Sequence, residues 1–382
     1  MKGSRFGFLV FAFACALPAH ASTEYTLIKA DPKADIAYTN PAWSPDGKSI
    51  AYVRMGSHGS ALDLVNNRGK TIYLATMGNG EWHHKLLLRD ANWPVWSPDG
   101  KSLAFARNGV AMLTLRTGKV RQLTRDRIPQ SDRDEALATT DYPVSFSPNG
   151  RYVAYYKQMW EENQTRVFDL LQNRDAGIFK GLHETDPRYA KYARYKWFLG
   201  NYFDWSPDSR HVLSAFNWFM DQGVPTRLVM ADLERRKWDA VLQNYRVTGV
   251  VWPHSHPESV WLVLEDTLVE GPKTDLKPPQ GPGIYRLDLN TRRLVKLASI
   301  HEWIFPTRDF KRFAFASRTG SGAHSANLYV GETNKWQFRL LSTEADDPWD
   351  WHVRTKFINW SPDGKSLAYV TKQGDIRIVK FQ

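Results

Sequence analysis

The residues with the widest chemical reach in this chain are histidines that have carboxylates for neighbours. His83-His84, His183, His301 and His352 can be set beside Asp141, Glu184, Glu302, Asp347 and Asp350. Imidazole next to carboxylate can act as a general base or hold a metal ion. None of these groups falls at a recognised ligand spacing. The chain has no His-Glu-x-x-His and no phosphate-cradling glycine loop leading into a helix. It also lacks a Gly-x-Ser-x-Gly between strand and helix; Gly320-Ser321-Gly322-Ala323 reads as a flexible connection. No metal and no cofactor is therefore expected, and the chemistry points first to binding, with catalysis left open.

Binding chemistry is richer. His183-Glu184-Thr185-Asp186-Pro187-Arg188-Tyr189 is followed by Arg194, Tyr195, Lys196, Trp197 and Phe198. A second run, Asp346 to Arg354, holds Trp349, Trp351 and His352, and Trp160 and Trp218 stand in shorter runs. Aromatic faces beside Arg and Lys suit sugar rings that carry carboxylates, or extended peptide. The competing reading is that many of these rings only dock their loops onto the fold. The candidate ligand-binding residues are Trp160, His183, Glu184, Arg194, Trp197, Trp218, His301, Trp349, Trp351, His352 and Arg354.

What positions these residues is an internal repeat. AWSPDGKSIAYVR begins at Ala42, VWSPDGKSLAFAR at Val95, SFSPNGRYVAYYK at Ser145, DWSPDSRHVLSAF at Asp204 and NWSPDGKSLAYVT at Asn359. Degenerate copies start at Val251 and Ile304. The aromatics Trp43, Trp96, Phe146, Trp205, Trp252, Phe305 and Trp360 are 47 to 59 residues apart. Ser-Pro-Asp-Gly is turn chemistry: proline presets φ, aspartate bonds the local backbone, and glycine supplies a positive φ. The alternating residues that follow, such as Ser49 to Val53, read as a strand. Two further strands per period give the four-stranded blade of a β-propeller. His254-Ser255-His256 replaces Ser-Pro-Asp-Gly in the fifth copy, so it reads as a degenerate turn.

These phrases resemble the WD40-like repeat of the periplasmic TolB propeller, which also occurs in prolyl-oligopeptidase-type peptidases. The resemblance covers residues 41 to 382 and implies an all-β, seven-bladed propeller. It transfers no catalytic residue, because the shared positions build the turn and the blade core. About 20 residues precede the first repeat after the leader, too few for the α/β domain of TolB. Oligogalacturonate lyases, propellers that use histidines and a metal on one face, are an analogy at the level of fold, without a clear match to their ligand pattern.

Seven copies leave the last blade one strand short, and Glu24 to Lys29 alternates as a strand should. This segment is expected to complete that blade as its outer strand and to remove an exposed edge. With strands a to d in each blade, parity puts the a–b and c–d turns on one face and the b–c and d–a connections on the other. The long segments Arg125–Asp141, Gly181–Asn201, Thr343–Arg354, Gln158–Gln164, Asn217–Pro225 and Val269–Pro282 all belong to the second set. That face is where function is expected.

Residues 1–21 read as a signal peptide, with Lys2 and Arg5, an apolar run from Phe6 to Ala14, and Ala19-His20-Ala21 before Ser22. A single propeller domain over 22–382 in the periplasm or outside the cell is expected. A lipid anchor at Cys15 is the alternative, although Ala12-Phe13-Ala14 lacks the usual lipobox leucine. No later run is apolar enough to span a bilayer. The formal charge is +11, or +9 without Lys2 and Arg5, which suits anionic partners. Without five consecutive basic residues, nucleic acid is not expected. The expected partner is an envelope protein, a peptide or an acidic polysaccharide, and the chain is expected to be a monomer. The leading reading is a non-catalytic binding scaffold. The alternative is a carbohydrate-active lyase or hydrolase of an acidic saccharide.

Overall fold

A computed structural model describes residues 22–56, 67, 69–126, 139–159, 162–178, 202–216, 227–266, 276–318, 326–346 and 357–382. At 139–140, 158–159, 162–164 and 216 only the backbone is described. The described residues open with β1 (Ser22–Ile28) and a 3-10 turn at Pro32–Ala34. Seven four-stranded antiparallel sheets then follow one another as the blades of a propeller.

Blade 1 is β2 (Ala37–Trp43), β3 (Ser49–Met55), β4 (Thr71–Gly78) and β5 (Glu81–Arg89). Blade 2 is β6 (Asn92–Trp96), β7 (Ser102–Ala106), β8 (Val110–Thr114) and β9 (Lys119–Gln122). Blade 3 is β10 (Thr139–Phe146), β11 (Tyr152–Met159), β12 (Glu162–Asp169) and β13 (Arg174–Asp175). Blade 4 is β14 (Phe203–Trp205), β15 (His211–Phe216), β16 (Arg227–Asp232) and β17 (Lys237–Gln243). Blade 5 is β18 (Arg246–Val251), β19 (Ser259–Glu265), β20 (Gly283–Asp288) and β21 (Leu294–Ala298). Blade 6 is β22 (Phe305–Pro306), β23 (Arg312–Arg318), β24 (Ala326–Glu332) and β25 (Gln337–Ala345). Blade 7 is β26 (Ile358–Trp360), β27 (Ser366–Val370) and β28 (Ile376–Phe381), completed by β1.

The repeated turn works as its residue types require. In blade 2, Ser97 Oγ donates to Asp99 Oδ1 at 2.7 Å and Lys101 N–H donates to the same oxygen at 3.0 Å. Gly100 takes φ +69° between them. The degenerate sixth copy keeps the device: Thr307 Oγ1 donates to Asp309 Oδ1 at 2.7 Å, and Phe310 adopts φ 56° in the glycine position. A left-handed phenylalanine is a strained choice that the surrounding bonds must hold in place.

Strand b of each blade differs from the alternating pattern expected of it. Ile50 to Val53, Leu103 to Ala106 and Leu367 to Val370 are buried without interruption. Each blade has another packed on either side, so both faces of its inner strands are core. Alternation of size, in place of polarity, is what the sequence carries there: small Ala51, Ala104 and Ala368 sit among larger side chains. Burying a residue such as Ile50 or Leu103 contributes about 1.5–3 kcal/mol.

The repeated tryptophan bolts one blade to the one before. Trp96 Nε1 donates to Ala42 O at 2.9 Å, Trp205 Nε1 to Ser145 Oγ at 2.8 Å, and Trp360 Nε1 to Phe305 O at 2.8 Å. The residue before the aromatic can bolt forward. Asp204 accepts from Trp252 N–H at 2.8 Å, and Asn359 accepts from Trp43 N–H at 3.1 Å. Burial pushes the Asp204 carboxyl up to about 6.

The N-terminal strand closes the ring. β1 runs antiparallel to β28, from Ser22 opposite Phe381 to Thr26 opposite Arg377. Glu24 accepts from the Tyr369 hydroxyl and lies 3.7 Å from Arg377, and Ala30 N–H donates to Asp375 at 2.8 Å. These contacts tie residues at opposite ends of the sequence and leave β28 without a free edge.

Candidate functional site

Strand order divides the described surface into two faces. One carries the a–b and c–d turns, which are short and fully described in blades 1 to 6. The other carries the b–c and d–a connections. Segments 57–66, 127–138, 179–201, 217–226, 267–275, 319–325 and 347–356 all join strands whose described ends lie on this second face. Trp160, His183, Glu184, Arg194, Trp197, Trp218, Trp349, Trp351, His352 and Arg354 lie outside the described residues. His301 lies inside them, exposed, in the connection from β21 to β22.

His301 has one of its expected neighbours. Glu302 accepts a hydrogen bond from Ser317 Oγ at 2.6 Å. Burial raises the Glu302 carboxyl, opposed by the Ser317 bond and the nearby His301. The other histidines fall elsewhere. His83 and His84, expected at or near a connection of this face, stand in β5 just past the c–d turn, because the hairpin turns at Asn79-Gly80. His84 Nδ1 is 2.9 Å from the Tyr52 hydroxyl, and burial lowers its pKa. His254 and His256 occupy the turn between β18 and β19, on the opposite face, as their place in the repeat requires. Gln158–Gln164, expected as a long connection, is mostly ladder: Gln158 pairs with Asn163 and Met159 with Glu162. Polar side chains do not stop a strand whose backbone partners are in place.

An electrostatic feature of the described part of this face was not legible as a group. It lies in the seam between blades 2 and 3. Asp126, just past β9, accepts from Asp141 N–H at 2.6 Å. Asp141, the third residue of β10, pairs with Lys157 of β11, whose Nζ is 3.7 Å from Asp141 Oδ1. That oxygen is buried and makes no hydrogen bond. Burial pushes the Asp126 carboxyl up to about 7, and the Asp141 charge adds to the effect. Burial also raises Asp141, opposed by Thr124, Lys157 and Arg166. Nearby, Tyr155 donates to Asp175 at 2.6 Å, and Arg166 sits 3.6 Å from the same carboxylate oxygen. Fifteen residues separate Asp126 from Asp141, and only the packing of two blades brings them together. A carboxyl held near neutrality can give or take a proton. Among the described residues, no three His, Cys, Asp or Glu side chains form a group that could hold a metal ion.

Comparison with known proteins agrees on the fold. No family model matches the chain. Dipeptidyl-peptidase 5 of Porphyromonas gingivalis is 35% identical over 101 residues, which is 25% of this chain and 14% of that peptidase. The chain thus spans a small part of that relative's length. Among solved structures, an oligogalacturonate lyase in complex with manganese aligns with a TM-score of 0.63 at 14% identity, covering 96% of this chain and 94% of that one. The propeller domain of Cps50 (Swd1) from Myceliophteria thermophila gives 0.55 at 14% identity, over 93% and 98%. TolB from Acinetobacter baumannii gives 0.38 at 13% identity, over 91% and 64%, a likeness too slight to carry weight. At such identities the likeness is one of fold. The protein is a seven-bladed β-propeller. Among the described residues no helix is long and apolar enough to cross a membrane.

Proposed function

We propose that this protein is an exported binding propeller that holds an envelope protein, a peptide or an acidic polymer on the face of its b–c and d–a connections. The observation that carries this reading is the one-sidedness of the chain. The a–b and c–d turns are short and largely bonded to themselves, while every long connection belongs to the other face. A rigid ring with all its variable length on one side is the arrangement by which scaffolds present recognition loops. The basic balance of the chain supports an anionic partner.

The test is cross-linked capture from envelope extract by the mature chain. A variant in which residues 181–201 are replaced by a glycine-serine linker is expected to lose the partner. Trp197→Ala and Trp349→Ala are expected to weaken it. Equal capture by the linker variant and the native chain would remove this face from the function.

A second reading, a lyase or hydrolase of acidic saccharides, is favoured by the Asp126–Asp141 pair, where one carboxyl titrates at about 7. Its test is product formation from a uronic-acid oligosaccharide by the native chain and by Asp126→Asn. Turnover that disappears in the variant would replace the scaffold reading.

A further inference from the structure

The face opposite the long connections carries a feature that blade construction does not require. Among the described residues Leu171 is the most exposed large hydrophobic side chain, at 77%. It stands in the outer turn of blade 3, between β12 and β13. Arginines from both neighbouring blades converge on that turn. Arg121 of blade 2 donates to Asn173 Oδ1 at 2.5 Å and approaches Leu170 O at 3.4 Å. Arg236 of blade 4 donates to Gln172 Oε1 at 2.9 Å, and Arg174 of blade 3 donates to the same oxygen at 2.9 Å.

Every one of these acceptors is neutral. The carboxylates nearby are engaged by other arginines: Asp169 pairs with Arg151 at 2.8 Å, and Asp232 with Arg210 at 3.2 Å. Among the described residues, no carboxylate lies within ion-pair distance of Arg121, Arg174 or Arg236. Two guanidiniums bonded to one amide oxygen are held side by side, and like charges so placed repel unless an anion joins them. Guanidinium forks match phosphate oxygens closely.

We infer that the outer turns of blades 2 to 4 seat the propeller on an anionic lipid surface. Arg121, Arg174 and Arg236 would take headgroup phosphates, and Leu171 would enter the acyl boundary. An exposed aliphatic side chain ringed by uncompensated cations matches a headgroup layer over hydrocarbon. Seated this way, the protein would turn its long connections away from the membrane, toward a partner. The inference does not depend on what those connections bind.

The experiment is co-sedimentation of the mature chain with vesicles of phosphatidylglycerol and phosphatidylcholine, and with phosphatidylcholine alone. Binding is expected only with phosphatidylglycerol, and it should weaken as salt rises. Each guanidinium removed should weaken partition about fivefold. Arg121→Gln, Arg174→Gln and Arg236→Gln combined should therefore lower it on the order of 100-fold. Leu171→Ser should weaken binding in a way that salt does not reproduce. Lys311→Gln with Lys335→Gln, on the same face in blade 6, should change little. The four positions Arg121, Leu171, Arg174 and Arg236 lie at or near the surface, so the thermal midpoint should hold, which separates lost binding from lost fold. Equal binding to both vesicle types, no binding, or a triple variant that sediments like the native chain would overturn the inference. So would retention by soluble polygalacturonate with the vesicles left bare.

Discussion

The two faces of this propeller use the same side chain in opposite ways. On the turn face, the carboxyls of Asp46 and Asp99 are held below the usual range by a serine hydroxyl and then a backbone N–H. On the face of the long connections, burial lifts Asp126 to about 7 and raises Asp141 and Glu302. The turn carboxylates stay in water and collect donors from their own turn. The seam carboxylates are enclosed by a neighbouring blade and receive fewer donors than their oxygens can accept. One face therefore spends its acidic groups on holding the chain in shape, and the other holds raised carboxyls, of which Asp126 changes charge near neutral pH.

The largest expected effect breaks the structural side of this contrast. Trp205 ends β14 just before its turn, is almost fully buried, and bonds Ser145 of the preceding blade. Trp205→Ala should lower stability by about 3–5 kcal/mol, the range for emptying a large aromatic site in a core. Denaturant unfolding measures it. A loss under about 1 kcal/mol would mean that the blade bolts are not what holds the turn face together.

This division also explains what the sequence disclosed. The turn phrase is local: serine, proline, aspartate and glycine within four residues specify one hairpin, and five near-identical copies specify a ring. The closing strand was legible as well, because Glu24 to Lys29 alternates and the last blade lacks a strand. Inter-blade chemistry is not local. Nothing in the types or spacing of Asp126, Asp141 and Lys157 marks them as a group, since two blades must pack before they meet. The same limit applies to Arg121 and Arg236, which reach the turn of blade 3 from 49 to 64 residues away. His83 and His84 were misplaced for a related reason, as the hairpin at Asn79-Gly80 reverses the chain before them.

The next effect sharpens the electrostatic side. Asp126 titrates at about 7 in the folded chain, against 3.8 for the free side chain. Between those values the folded state keeps a proton that the unfolded state has released. The contribution of this carboxyl to stability is therefore greatest below about pH 4, is lost as pH rises toward 7, and is level above that. Asp126→Asn should flatten this decline, by as much as about 4 kcal/mol across the window. Thermal unfolding at a series of pH values would show it. Parallel curves for the native chain and the variant would place the titration elsewhere in the seam.

The smallest effect tests whether the turn face needs charge at all. Blade 3 already carries an uncharged copy: Ser147 Oγ donates to Asn149 Oδ1 at 2.8 Å and Arg151 N–H donates to it at 3.0 Å. These bonds match those of Asp99 to within 0.1 Å or less, at 2.7 Å and 3.0 Å. Asp99→Asn should thus change stability by no more than about 0.5 kcal/mol. Asp99→Ala removes the acceptor of Lys101 N–H and leaves Ser97 Oγ only Ser102 O, 3.0 Å away, so it should cost about 1 kcal/mol at neutral pH. Because the Asp99 carboxyl lies below its ordinary range, its contribution is present above that range and is lost as pH falls through the folded value. The Ala penalty should shrink at strongly acid pH accordingly. If Asn proves as damaging as Ala, the turn depends on charge, and the two faces differ less in kind than their carboxylates suggest.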